Sequence, residues 1–160
     1  MGAVRAGWSG GVVVIDMKWM AEAIVLSWRS PPSQTAFSVG ALIVDGTGAV
    51  LAEGWSRPQD PHDHAEEAAI LALGPNWTAP AGSTLYSSME PCSTRASRPR
   101  SCTQLILAAG ICRVVFAWRE PSLFVEGRGA ELLAAAGVEV IEVPELAQDA
   151  RAANQHLFAR

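Results

Sequence analysis

Three short pieces of this sequence hold side chains that bind metals and move protons: His64-Ala65-Glu66, the step Pro91-Cys92, and Cys102. An imidazole and two thiolates are good zinc ligands, and three protein ligands leave the fourth position open to water. Two thiolates also cancel the charge of a divalent ion, so such a site can be buried without an unpaired cation. Zinc held there would lower the pKa of water from about 15.7 towards neutrality. Glu66 stands two residues from His64. It is close enough to take a proton from water, pass it to a ring nitrogen and help protonate a departing amine. The chemistry these residues predict is hydrolytic deamination.

Each residue also has an ordinary explanation. Asp63 followed by Glu66 reads as a capping box with Asp63 as N-cap. His64 alone reads as a surface or cap histidine, and Cys92 and Cys102 alone as inert buried thiols. Their arrival in one order carries the catalytic reading. His64 and Cys102 each fall at a predicted helix start, and Cys92 lies in the loop leading to the second. Helix N-termini favour thiolate over thiol. His62 lacks a glutamate two residues on, and reads as a loop residue with substrate contact as its candidate role. Cys112 sits beside a buried-type strand and reads as core. The rival class is a non-catalytic zinc module, closed by His62 or Cys112 as a fourth ligand.

The elements that must position these groups follow from periodicity. Met17, Met20, Ala21, Ile24, Val25 and Trp28 fall at helical spacing, with Asp16 able to cap the start and Pro31-Pro32 forbidding continuation. Val39 to Val44 and Val50 to Trp55, around Asp45-Gly46-Thr47-Gly48, predict an antiparallel hairpin. A helix from about His64 to Leu73 follows, then a strand over Thr84 to Ser87 and a helix over Cys102 to Ala109. Arg113 to Trp118 reads as a buried strand, Glu131 to Ala136 as part of a helix, and Val138 to Val143 as a last strand. Leu146, Ala150, Ala153 and Leu157 form a terminal helical stripe. This order predicts an α/β fold, a three-layer α/β/α sandwich around a mixed five-stranded sheet whose later strands are parallel. Residues 1–15 read as a flexible leader and 16–160 as a single domain.

Composition narrows the partners. The chain has 160 residues, 49% of them hydrophobic, enough for one substantial core. A net charge of −4 argues against broad contact with nucleic acid, which needs a basic surface. The apolar run Val12 to Ile15 is too short for a signal core or a membrane span. Three cysteines, an odd number, fit metal or catalytic use better than a disulfide framework. The expectation is a cytoplasmic protein acting on a small molecule, with neither nucleic acid nor membrane as partner.

His-x-Glu followed by Pro-Cys and a further Cys is the signature of the cytidine deaminase-like zinc enzymes, and the chain resembles that superfamily. The resemblance implies one zinc ion per chain on His64, Cys92 and Cys102, Glu66 as proton shuttle, and assembly as a homodimer. The spacing departs from the commonest pattern, since nine residues separate the two cysteines. A helical connection between the last two strands looks like the branch holding nucleobase, deoxycytidylate, tRNA-adenosine and riboflavin-pathway deaminases. Thr84 to Ser93, Gln104 to Gly110, Glu120-Pro121 and Gly127-Arg128-Gly129 resemble the riboflavin-pathway pyrimidine deaminases, which also insert a long loop before the second cysteine. Thr35 to Gly40 and Gly54-Trp55-Ser56-Arg57 resemble the fungal-type version.

That likeness implies a diaminopyrimidinone ribityl or ribosyl phosphate losing its 2-amino group. There are departures. Ala36 stands where the bacterial enzymes carry an asparagine that holds the ring, and the reductase domain often fused to them does not follow before Arg160. A nucleobase or nucleotide deaminase, of guanine, cytosine or deoxycytidylate type, is the alternative. Contacts for a phosphorylated substrate would come from Ser93, Arg95 and Arg98 in the inter-cysteine loop, which also holds Thr94, Ser97 and Arg100, because guanidinium matches phosphate oxygens. The rival reading of that loop is a solvated or subunit-contacting surface. Trp118, at a strand end, is a candidate stacking partner for the ring, with core packing as its rival. Trp55 has the same two readings.

Overall fold

Strands that read as continuous apolar runs become the buried middle of a sheet. The computed structural model describes residues 4–6, 14–121 and 128–158. In it β1 (Val4–Ala6), β2 (Gly40–Val44), β3 (Val50–Trp55), β4 (Thr84–Met89), β5 (Arg113–Trp118) and β6 (Glu139–Glu142) lie in the order β1-β6-β5-β4-β2-β3. The hairpin β2–β3 and the pair β2–β4 are antiparallel, while β4, β5, β6 and β1 run parallel. The five strands expected from sequence are all present. A sixth, β1, adds to the edge of β6 within the stretch read as a leader.

Alternation of side chains across the strands divides the core into two layers. On one side Ile43, Leu85, Val114, Phe116 and Val140 meet α2 (Ala65–Leu71), α3 (Cys102–Ala108) and α4 (Gly129–Ala135) through Ile70, Ile106 and Leu133. On the other, Leu42, Tyr86, Val115 and Ile141 meet α1 (Val14–Ser27) and α5 (Ala147–Ala152) through Met20, Ile24 and Ala150. The result is the expected α/β/α sandwich. The terminal stripe is interrupted, with α5 flanked by 3-10 turns at Pro144–Leu146 and Gln155–Leu157. Part of the α4 region falls outside the described residues.

Helix α1 differs from its periodic reading. Met20 and Ile24 are buried as expected, but Val25 and Trp28 are 60% and 62% exposed, and the buried face instead includes Ala23, Leu26 and Ser27. The reason is Asp16. It is not a cap; it lies inside the helix and is buried. Its two oxygens accept from Arg113 Nη1 at 2.9 Å and Nη2 at 2.7 Å, and Oδ1 also accepts from the Tyr86 hydroxyl at 2.6 Å. That charged pair fixes the roll of the helix over β4 and β5. Burial and then the Asp16 carboxylate push the Tyr86 hydroxyl pKa up, and Asp16 pushes that of Arg113 up.

One close approach places the site. A Cβ at Gly54 of β3 would overlap Ala65 O and fall 2.7 Å from Ala69 N. Only glycine lets α2 press its first turns directly on the sheet, and that contact sets the depth at which His64 and Glu66 sit.

Candidate active site

His64, Cys92 and Cys102 arrive from three segments and meet at one point. His64 is the N-cap of α2, with φ −97° and ψ 156°. Its N–H is directed at Glu67 Oε1 at 3.4 Å, so the first turn is arranged by His64 and Glu67 rather than by the Asp63–Glu66 box read from sequence. Cys102 is the first residue of α3, whose N-cap Ser101 accepts from Gln104 N and in turn donates its own N–H to Gln104 Oε1. Cys92 follows β4 by a short step.

His64 Nδ1 lies 3.5 Å from Cys92 Sγ and 3.4 Å from Cys102 Sγ, and the three donor atoms lie within 4.8 Å of one another. Tetrahedral zinc with bonds of about 2.0 Å to nitrogen and 2.3 Å to sulfur sets such ligands roughly 3.6 Å apart. The donor set therefore fits zinc in type and in spacing. Its electrostatics also fit a cation. Cys92 Sγ accepts the Cys102 backbone N–H at 3.2 Å, and the hydrogen bond from the Cys102 side chain, helped by His64, pulls the Cys92 thiol down to about 4. The Cys102 thiol moves up, because it serves Cys92 as donor and is fully buried near Glu66. The two sulfurs thus share one proton, in the place that a bound cation would take from it.

Glu66 is buried, and Oε1 lies 2.6 Å from Ser87 Oγ, which also reaches Met89 O at 2.7 Å. Burial raises its pKa, opposed by the Ser87 hydrogen bond. A carboxyl tuned upward in this way holds a proton more readily than a free one, which suits a group that must take a proton and return it. Ser87 was not legible as a functional residue, because in sequence it is one small residue of a buried strand.

His64, Glu66 and Cys92 open on a cavity of about 290 Å³, lined among others by Phe37, Arg57, Met89, Arg95 and Glu120, while Cys102 and Ser87 lie buried behind them. Ala36, the position that departs from the bacterial pattern, is also on its wall. Arg57 has φ +58°, the left-handed region that non-glycine residues rarely enter. Its guanidinium is spent on the backbone before β2, donating to Pro31 O, Phe37 O and Ser38 Oγ.

Two carboxylates that the sequence reading places in stretches of family likeness, without a site role, shape the far wall. Glu90 is buried and accepts from Glu120 N at 3.0 Å and Ala130 N at 2.9 Å. It ties the start of α4 to the residues just before Cys92. A Cβ on Gly129 would overlap Pro91 O, so α4 rests directly on that step. Glu120 is thereby held at the cavity with Oε2 buried and, among the described residues, without a hydrogen-bond partner. Burial, then the charges of Cys92, Glu90 and Glu66, push its carboxyl up to about 8. The signal for both is a contact between distant segments, which no local pattern announces.

The remaining candidates divide. Arg95 lines the cavity with a side chain only 3% exposed. It donates to His62 O at 2.6 Å and pairs with Glu67 at 3.2 Å, while Nε has no hydrogen-bond partner among the described residues. Arg98 is tied to Asp63 at 2.9 Å and Asp60 at 3.5 Å, and neither it nor Ser93 is among the lining residues. The His62 ring is exposed and lies 3.2 Å from Asp60, outside the cavity. Trp118 packs edge-on against Phe37 and Phe158 at 5.6 and 5.9 Å. Trp55 lies under Arg29 at 5.2 Å. Cys112, read as core, is exposed at the turn before β5. Its side chain falls outside the strand that buries Val114.

The family profile of the cytidine and deoxycytidylate deaminase zinc-binding region matches residues 14–118. The chain is 39% identical over 127 residues to the diaminohydroxyphosphoribosylamino-pyrimidine deaminase of Schizosaccharomyces pombe, covering 78% of this chain and 31% of that protein. It is 34% identical over 149 residues to the riboflavin biosynthesis protein RibD of Aquifex aeolicus, covering 90% and 39%. It thus spans about a third of the length of these curated relatives. Among solved structures, the diaminohydroxyphosphoribosylaminopyrimidine deaminase/5-amino-6-(5-phosphoribosylamino)uracil reductase of Thermotoga maritima superposes with TM-score 0.73 at 30% identity, over 90% of this chain and 40% of that one. The Aspergillus oryzae Rib2 deaminase gives TM-score 0.71 at 22% identity, over 91% and 97%, a likeness of fold.

Proposed function

The chain belongs to the cytidine and deoxycytidylate deaminase zinc-binding family, and on that premise we propose that it hydrolytically deaminates an aminopyrimidine carrying a ribosyl or ribityl phosphate. The observation that carries the reading is three zinc-type donors at zinc spacing, two of them on the wall of one cavity together with a buried carboxyl of raised pKa. His64, Cys92 and Cys102 would hold the metal, which when bound supplies a Lewis acid that makes water nucleophilic near pH 7. Glu66 is the proton carrier, with Ser87 fixing the rotamer from which it works. It accepts one proton from water and delivers it to the ring nitrogen beside the amino-bearing carbon, then takes the proton of the hydroxyl left on that carbon as the carbonyl forms and gives it to the leaving amine. Water and the amino compound become a ring carbonyl and ammonia.

The substrate class rests on the relatives named above and on two wall residues. The buried Nε of Arg95 is an available donor for a phosphate oxygen. The Glu120 carboxyl faces the cavity as a partner for a ring N–H or carbonyl. His62, Ser93, Arg98 and Trp118 stay outside this binding set. Ammonia release across a panel tests the proposal: turnover of the diaminopyrimidinone ribosylamino phosphate supports it. Turnover of guanine, cytosine or deoxycytidylate with none of that phosphate overturns it in favour of the second reading, for which the Ala36 substitution speaks.

Glu120 makes a pH prediction. A carboxyl at about 8 is neutral at pH 7 and charged above, so kcat/KM falls as pH rises through that region and puts a second negative charge beside Glu66. Glu120→Gln, uncharged at every pH, flattens that alkaline limb. A variant profile superimposable on the wild type assigns the limb to another group.

The homodimer expectation is supported by the outward faces of α2 and α3, where Leu71 and Leu107 are exposed beside Ala72 and Ala108. A reducing, cytoplasmic setting suits three unpaired cysteines. Among the described residues no helix is long and apolar enough to cross a membrane.

A further inference from the structure

The residues after α5 reach back across the molecule to the segment that walls the cavity. Thr35, Ala36, Phe37 and Val39 line it. Between them Ser38 turns its backbone away, and Asn154 meets both of its polar groups. Ser38 N donates to Asn154 Oδ1 at 2.6 Å, and Asn154 Nδ2 donates to Ser38 O at 2.9 Å. Asn154 is 1% exposed. A primary amide thus pairs with the peptide as a neighbouring strand would, just before β2 joins its true partners at Gly40.

The same stretch is held from its other sides. Arg57 donates to Phe37 O and Ser38 Oγ, Ser56 Oγ accepts from Val39 N, and His156 Nε2 lies 2.7 Å from Ser33 O. Phe158 stacks on Phe37 at 6.4 Å between centroids and meets Trp118 at 5.9 Å. Two of these holds engage both backbone groups of one residue: Ser56 does so at Val39, from the neighbouring strand, and the Asn154 amide at Ser38, from beyond the last strand. With Ser38 released at that point, the preceding wall residues Thr35, Ala36 and Phe37 lose an anchor that the Ser56 hold on Val39 does not replace.

We propose that Asn154 is a positioning residue for substrate binding: by pairing with the Ser38 peptide it fixes the Thr35–Val39 wall, which makes the segment after α5 a determinant of substrate affinity. The role rests on the deaminase reading only for the identity of the compound bound. It differs in kind from that of Glu66, since Asn154 touches neither reacting atoms nor metal ligands.

The test uses the zinc-loaded chain with Asn154→Ala, the exposed neighbour Gln155→Ala as control, and whichever panel compound the wild type turns over. The expected result for N154A is a KM about tenfold higher with kcat within about threefold, zinc content unchanged, and Q155A equal to wild type. Backbone hydrogen exchange over 33–40 quickens while that over 64–71 does not. Asn154→Asp keeps the acceptor for Ser38 N and loses the donor to Ser38 O, so it is intermediate, and it serves as the variant if the alanine does not fold. Faster exchange with KM unchanged overturns the proposal, because the wall then moves without consequence for binding. So does exchange raised equally everywhere with loss of zinc, the mark of a merely structural residue. If the wild type turns over nothing in the panel, the deaminase reading fails separately, and unchanged exchange over 33–40 in N154A still overturns the clamp.

Discussion

Glu66→Gln lowers turnover by about 10³-fold, with zinc content and melting temperature near those of the wild type. The magnitude follows from the role. A positioned acid–base group contributes roughly 10²–10⁴ to rate, and Glu66 is placed to handle both the proton that water gives up and the one the amine needs. The substitution is close to isosteric. A glutamine amide can keep the 2.6 Å contact to Ser87 Oγ, and it relieves the cost of a charge in a site where burial already raises the Glu66 pKa. The fold therefore has no reason to suffer. This separates catalysis from a zinc-stabilised module, in which Glu66 would be part of the α2 first turn and its amide would be nearly silent. Because His64 and Glu67, rather than Asp63 and Glu66, arrange that turn, even the capping loss is absent. Steady-state ammonia release with metal analysis on the same samples is the measurement. A variant retaining a tenth or more of wild-type turnover removes Glu66 from the mechanism.

What the sequence reveals about this molecule is set by range. The strands, the helix starts at His64 and Cys102 and the metal triad are written in local pattern: alternation, glycine-bearing turns, and His-x-Glu before Pro-Cys. These are short-range statements, and β3 and β5 even match in both boundaries. Asp16 shows where that legibility stops. An acid at the head of an apolar helix has the look of a cap, and only the arrival of Arg113 and Tyr86 from two strands turns it into a buried ion pair. Cys112 is the reverse case, a thiol beside a buried strand that ends just outside it. Glu90, Glu120 and Asn154 carry no local mark at all. Glu90 and Asn154 acquire their roles from backbone groups at least thirty residues away, and Glu120 is placed by donating its own N–H to the Glu90 carboxylate. The arginines of the inter-cysteine loop suggested an anion site by count alone. The surrounding acids decide where they go: Asp60 and Asp63 hold Arg98 off the cavity, whereas Arg95, paired with Glu67, lines it.

The other large effect expected is that of metal removal. A chelator at neutral pH takes activity to below about 1% of the starting value, and stoichiometric zinc restores it, because every step assigned to Glu66 presupposes water made acidic at that point. A second readout does not depend on turnover. In the loaded protein Cys92 and Cys102 are ligands, and the exposed Cys112 is the thiol open to a colorimetric reagent. Stripping releases the other two, and Cys92 answers first, because the Cys102 and His64 hydrogen bonds hold its thiol well below the usual range and favour the reactive thiolate. Cys102, fully buried and with its pKa raised, follows at the rate of local opening. Reactive thiols therefore go from one to three on chelation, in two phases, and return to one with zinc. Acid has the same effect without a chelator: as pH falls, protons compete for the imidazole and the sulfurs and the metal leaves. Full activity after exhaustive chelation, or a thiol count that does not change, would show that these three side chains hold no metal, and with it the role given to Glu66 would lose its basis.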